Sequence, residues 1–157
     1  MSVILNKAQF LKSLDFAEIE AEDRFRDRVR DTVREGLRRL IARTPVWSGQ
    51  TVANYVVTAG APYSGLVKAG FEPTPGTNNM PLGTEPNRPQ AEAIAWATFE
   101  SVSFDDPYQQ FYITNRAPQA ALLEIGAAPD VARSRSPNGM FVVTAAELEL
   151  LLQSNKL

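Results

Sequence analysis

Residues Phe16–Arg43 read FAEIEAEDRFRDRVRDTVREGLRRLIAR, and the rest of the fold is placed by what this stretch becomes. Phe25, Val29, Val33, Leu37, Leu40 and Ile41 recur at spacings of three and four, which puts them on one narrow helix face. Glu18, Glu20, Glu22 and Asp23 precede Arg34, Arg38, Arg39 and Arg43, the order a helix dipole favours. Such mixed charge reads as a solvated, ion-paired helix surface ahead of a nucleic-acid patch. Asp15 with Glu18 has capping-box form and marks the expected start. A separate short helix is predicted before it over residues 6–14, capped by Asn6 with Gln9 and carrying Phe10, Leu11 and Leu14 on one face. A helix unbroken from Phe16 to Arg43 is about 42 Å long, against a radius of gyration of about 15 Å for a domain of this size. One end is therefore expected to overhang the domain and pack on a neighbour.

Thr44-Pro45 stops this helix, because the residue before proline avoids helical geometry, and Ser48-Gly49 makes a turn. Thr51–Ala59, rich in Val, Thr and Tyr, is predicted as a strand. From Gly60 to Pro89 the prolines and glycines cluster, which predicts a long loop or arm. Asn87 then caps a helix with Pro89 in its first turn and Ala91, Ile94, Ala95, Thr98, Phe99 and Val102 at helical spacing. Gln110–Thr114 alternates as a half-buried strand does, and Asn115 caps a short helix ending at Gly126. Ala127–Asn138 is irregular, with Arg133 and Arg135 among small residues. Met140–Val143 is predicted as a third strand, and Thr144-Ala145-Ala146-Glu147 as the capping box of a terminal helix with Leu148, Leu151 and Leu152 inward. The expected fold is α+β over a single domain, 1–157. A small mixed β-sheet is packed by helices, with a long N-terminal helix and a long Pro/Gly-rich loop at 60–89.

The 157 residues, 44% hydrophobic and 22% charged, suffice for one core. They include no histidine and no cysteine, which removes the commonest general base, the thiolate nucleophile, the commonest metal ligands and all disulfides. A net charge of −2 argues against holding nucleic acid by phosphate neutralisation. With no apolar run of about 18 residues and no signal-like start, synthesis and use in a reducing cytoplasm are expected. No catalytic, cofactor-binding or metal-binding residue is assigned. Gly60–Lys68 superficially resembles a phosphate loop but lacks the Gly-Lys-Ser/Thr ending, and Pro62 removes a needed N–H. Asp105-Asp106 and the acidic run before Arg24 read as a turn former and helix charges before they read as cation ligands. Trp47 and Trp96 read as core or interface anchors.

Two stretches carry a resemblance. The first is Thr44-Pro45-Val46-Trp47-Ser48-Gly49, between a long charged helix and a strand. The second runs Phe111-Tyr112-Ile113-Thr114-Asn115-Arg116-Ala117-Pro118, through Leu122, Leu123, Glu124 and Gly126, to Ser136-Pro137-Asn138-Gly139-Met140-Phe141. In that order and spacing, from about residue 20 to 150, the chain resembles the head–tail joining and tail-completion proteins of long-tailed bacteriophages, the lambda minor tail protein Z-like group. It departs from the family pattern at Trp47, Gln119 and Ile125. The resemblance implies a structural virion protein of the neck or upper tail. It would form a homo-oligomeric ring, a hexamer, that contacts tail-tube or terminator proteins on one side and head-connector proteins on the other. DNA would pass through the lumen without sequence-specific binding. The alternatives are a tail of the same kind without a capsid, a small cytoplasmic adaptor for one protein partner, and a carboxylate-dependent hydrolase using Glu124 with Asp105 or Asp106.

Overall fold

The structure, a computed structural model, describes residues 6–73, 75, 80–127 and 138–154. Its first element is a single helix, α1 (Lys7–Arg43), not a short helix followed by a long one. Nothing between Leu14 and Asp15 breaks the backbone, so Asn6 alone caps the helix: its side chain accepts from the Gln9 N–H at 3.2 Å. Asp15 and Glu18 lie inside the helix. At 37 residues it is about 55 Å long.

After Thr44 the chain turns at Gly49, whose φ of 72° lies in the left-handed region. A Cβ there would come within 2.9 Å of the Phe71 ring. The expected strand over Thr51–Ala59 is divided: its first part is the short helix α2 (Gln50–Ala53), and the strand β1 is Tyr55–Ala59. Thr51, Val52 and Ala53 are buried, and α2 packs on α3 (Arg88–Glu100), so tertiary contact overrides the β-branched propensity there. Between Ala59 and Arg88 the described residues contain neither helix nor strand.

β1 pairs antiparallel with β2 (Phe111–Asn115), Val57 opposite Ile113. α3 covers the other edge of β1: Thr98 Oγ1 accepts from the Val57 N–H at 3.0 Å, a donor the two-stranded ladder leaves over. A short helix α4 (Pro118–Glu124) follows, then α5 (Phe141–Gln153). The sheet is thus two-stranded and antiparallel among the described residues, not mixed. Residues 140–143, expected as its third strand, open α5 instead. Thr144 therefore caps nothing, and Glu147 turns to Arg39 and Arg43 of α1. Asn115 is also not a helix cap: Ala117 holds that place, and Asn115 Oδ1 accepts from the Ala117 N–H at 3.0 Å in the turn before it.

The core gathers Leu37, Leu40 and Ile41 of α1, Val52, Tyr55 and Val57, Ala91, Ala95 and Phe99, with Ala120, Leu123 and Met140. The alanines of α3 bring its axis close to β1. Phe99, Phe104 and Phe111 form a chain of rings, with centroids 5.5 and then 4.7 Å apart. Trp96 sits edge-on to Phe99 at 5.9 Å, as the helical stripe leads one to expect.

Candidate interaction surface

The buried residues of α1 begin at Gly36, and Val29 and Val33 pack partly against the core. Toward the N-terminus the last contacts with the body among the described residues are Phe25, whose ring lies 5.4 Å from that of Tyr108, and Arg28, which donates to the Leu152 carbonyl at 3.1 Å. From Lys7 to Arg24 every residue is exposed. This overhang, 18 residues, extends about 27 Å. It is not a polar solvated helix. Phe10, Leu14, Ala17 and Ala21 follow one another at spacings of four, three and four along one side. Phe16 (72% exposed) and Ile19 (56%) stand on the other. A helix apolar on more than one side is normally buried by neighbours.

The anchored end of α1 is held by buried charge that the sequence reading missed. Arg88, 4% exposed, donates to the Ile41 carbonyl at 3.0 Å and the Thr44 carbonyl at 2.8 Å, so it satisfies carbonyls that the helix end leaves over. Its own partner is Glu85, 1% exposed, at 2.7 Å. Burial pushes the Glu85 carboxyl up, but Arg88 and the Gly83 N–H outweigh it and leave it below the ordinary carboxylate range. The Glu85–Arg88 spacing beside Pro86 was the available signal, and it looks like any surface i,i+3 pair. On the flank, Glu35 accepts from Arg38 and Arg39, chiefly Arg38, which brings its pKa down to about 2.

The residues that carry the resemblance meet in one place. Glu124 accepts from the N–H groups of Met140 (2.7 Å), Phe141 (2.9 Å) and Val142 (2.9 Å), and so serves as a distant cap for α5. Burial pushes its carboxyl up, yet these three donors leave it below its ordinary value. A Cβ on Gly139 would meet the Glu124 carboxylate at 2.9 Å, so glycine is required for the approach. Thr44 Oγ1 lies 2.7 Å from the Tyr55 hydroxyl and 3.0 Å from the Met140 sulfur. Burial raises the Tyr55 hydroxyl well above its usual range. Asn115 donates to the Thr51 carbonyl at 2.7 Å. Thr44, Asn115, Glu124 and Gly139 thus join α1, β2, α4 and α5.

The carboxylates named for hydrolysis are occupied in turns and caps. Both Glu124 oxygens cap α5; Asp105 accepts from Ser103 Oγ at 2.7 Å, and Asp106 from the Tyr108 N–H at 3.0 Å. An open cleft of about 340 Å³ at α1 and α3 is lined by Arg26, Arg30, Phe99, Val102 and Asp105 among others, without Glu124. No group of three or more acidic side chains among the described residues is arranged to hold a metal ion. The segment Gly60–Lys68 is used as structure: Lys68 donates its N–H to Asn54 Oδ1 at 2.8 Å, and the Gly65 carbonyl accepts from Arg116 at 2.6 Å. Trp47 is exposed and Trp96 half-buried. Arg133 and Arg135 lie outside the described residues. No helix among the described residues is long and apolar enough to cross a membrane. Compared with protein families, curated proteins and solved structures, the chain matches none of them.

Proposed function

We propose that this chain is a structural subunit of a protein assembly, the neck or upper tail of a long-tailed bacteriophage. There it joins or completes the tail as a hexameric ring around the passing genome. The observation that carries the reading is the overhang of α1, which leaves Phe10, Leu14, Phe16 and Ile19 exposed, with none of the described residues covering them. A segment of this length and apolarity marks a protein contact. The family resemblance supplies the kind of assembly, and the use of its motif residues as caps and turn formers agrees with a role in shape. An acidic balance suits a lumen through which phosphate must slide.

The test is mass spectrometry and electron microscopy of tailed particles purified from cells encoding this chain. The reading predicts the chain at a fixed copy number per particle, labelled at the head–tail junction. Its absence from such particles overturns the reading. A stable one-to-one complex with a single cytoplasmic protein would replace it with the adaptor. Particles that contain the chain but no capsid would place it in a tail of the capsid-free kind.

A further inference from the structure

Among the described residues, a second helix lies along α1 over half its length only. In the anchored half α5 runs antiparallel to it. Arg39 and Arg43 pair with Glu147, a Cβ on Gly36 would come within 3.1 Å of the Leu148 side chain, and Arg28 donates to the Leu152 carbonyl at 3.1 Å. Phe10 stands eighteen residues before Arg28, and Ala21 eighteen before Arg39, an interval of about five full turns. The side that carries Phe10, Leu14, Ala17 and Ala21 is therefore the side on which α5 lies further along. Beyond the end of α5 this side is left open, with Phe10 51% and Leu14 49% exposed.

The stripe is ordered by size, two large residues and then two alanines. Turned about a two-fold axis midway between residues 15 and 16, a second copy sets its Ala21 against Phe10 and its Ala17 against Leu14, and offers its own Phe10 and Leu14 to the alanines of the first. Every layer then holds one large and one small side chain, so the two helices keep one separation throughout. A parallel pair would instead stack Phe10 on Phe10 and Ala21 on Ala21, wide at one end and narrow at the other. The axis chosen by this order of sizes is also the midpoint of the overhang, Lys7 to Arg24. The two overhangs thus match over their whole length, and each tip reaches the level of the Phe25–Tyr108 contact on the other copy. Beside the seam, Glu18 falls next to Leu11 of the other copy, Glu20 next to its Ser13, and Lys7 next to its Glu20–Arg24 ion pair. No carboxylate is set directly opposite another.

We propose that two free copies pair through their overhangs, antiparallel about this axis, each overhang taking on the other copy the place that α5 takes in the anchored half. The pair goes beyond the foregoing reading and does not rest on it. A ring of like-oriented copies contains no such axis, so the pair belongs to the protein before assembly and parts on entry to the ring. Phe16 and Ile19 lie on the far side of the helix and stay open in the pair.

The chain has no cysteine, so introduced thiols report the geometry alone. Full-length Phe10→Cys and Ala21→Cys proteins are oxidised mildly, each alone and mixed in equal amounts, and run on non-reducing gels. A disulfide needs Cα atoms within about 7 Å. In the antiparallel pair each of these positions lies more than about 15 Å from its own equivalent along the axis. The mixture should therefore give a cross-linked dimer and either variant alone very little. Light scattering of the wild type should show a dimer that dissociates on dilution. The variant A17E/A21E, which puts a long charged side chain into each alanine layer, should raise its dissociation constant about tenfold or more. Circular dichroism checks that the variants remain folded. Four results overturn the pair: a wild type monomeric at every concentration, a mixture that cross-links no more than the single variants, Ala21→Cys cross-linking to itself as readily as to Phe10→Cys, or A17E/A21E dimerising as the wild type does. The virion reading fails separately, through absence of the chain from purified particles, whatever the pairing does.

Discussion

The two halves of α1 are continuous in backbone and opposite in circumstance. Past Arg28 the helix is packed by α5 and β2, and its last carbonyls are taken by a buried arginine. Before Phe25, among the described residues, it has its own hydrogen bonds and two ion pairs, one i,i+4 and one i,i+3, each worth about 0.5 kcal/mol or less. An isolated helix of 18 residues is marginal in water. The overhang holds its form as an extension of an anchored nucleus, so its side chains are free to serve contact with a partner. Substitutions on the two halves should therefore separate cleanly into losses of stability and losses of assembly.

The largest loss is expected from Glu85→Ala. It leaves Arg88 buried without its principal carboxylate and should cost about 3–5 kcal/mol, read as a fall in the urea midpoint at constant slope. Glu124→Gln should cost about 1–3 kcal/mol at neutral pH, because a neutral amide oxygen replaces a carboxylate that accepts three N–H bonds. The same variant tests pH dependence. Glu124, Glu85 and Glu35 have folded values below the ordinary carboxylate range, so their contribution is present above that range and is lost as pH falls through the folded values. Unfolding followed from pH 6 down to about pH 2 should show a shallower decline for Glu124→Gln than for the wild type; an equal slope refutes the assignment. Gly49→Ala should cost about 1–3 kcal/mol through its positive φ and the close Phe71 ring, and calorimetry would show it as a lowered Tm. The smallest effect on stability, within about 0.5 kcal/mol, is expected for Leu14→Ser and Phe16→Ser in the overhang. These two should lower the mass of the assembly in light scattering while leaving the monomer's unfolding curve in place.

The helical periodicity of α1 and α3 was legible because it repeats over several turns, and the alternation of β2 because one face is apolar. The errors fell where a distant group decided a local question. Val142 and Val143 favour a strand on their own, but Glu124, in another helix, accepts the N–H groups of Met140, Phe141 and Val142 and makes a helix start there. Thr51 and Val52 favour a strand likewise, and burial under α3 makes them one turn of helix. Asp15 and Glu18 spell a start signal in the middle of a helix, where no chain break gives it effect. The overhang was foreseeable from length against domain size. Arg88 was not, since nothing local marks an arginine that will end beneath the last turn of another helix.

The Phe25–Tyr108 contact marks the place where α1 leaves the body. On one side of it α1 runs free for about 27 Å, and on the other it runs for a similar distance to its fastening at Arg88. A push on the outer tip would be delivered to α5 and β2 along the packed half of α1 and to the joint of Ile41, Thr44 and Arg88 at its end.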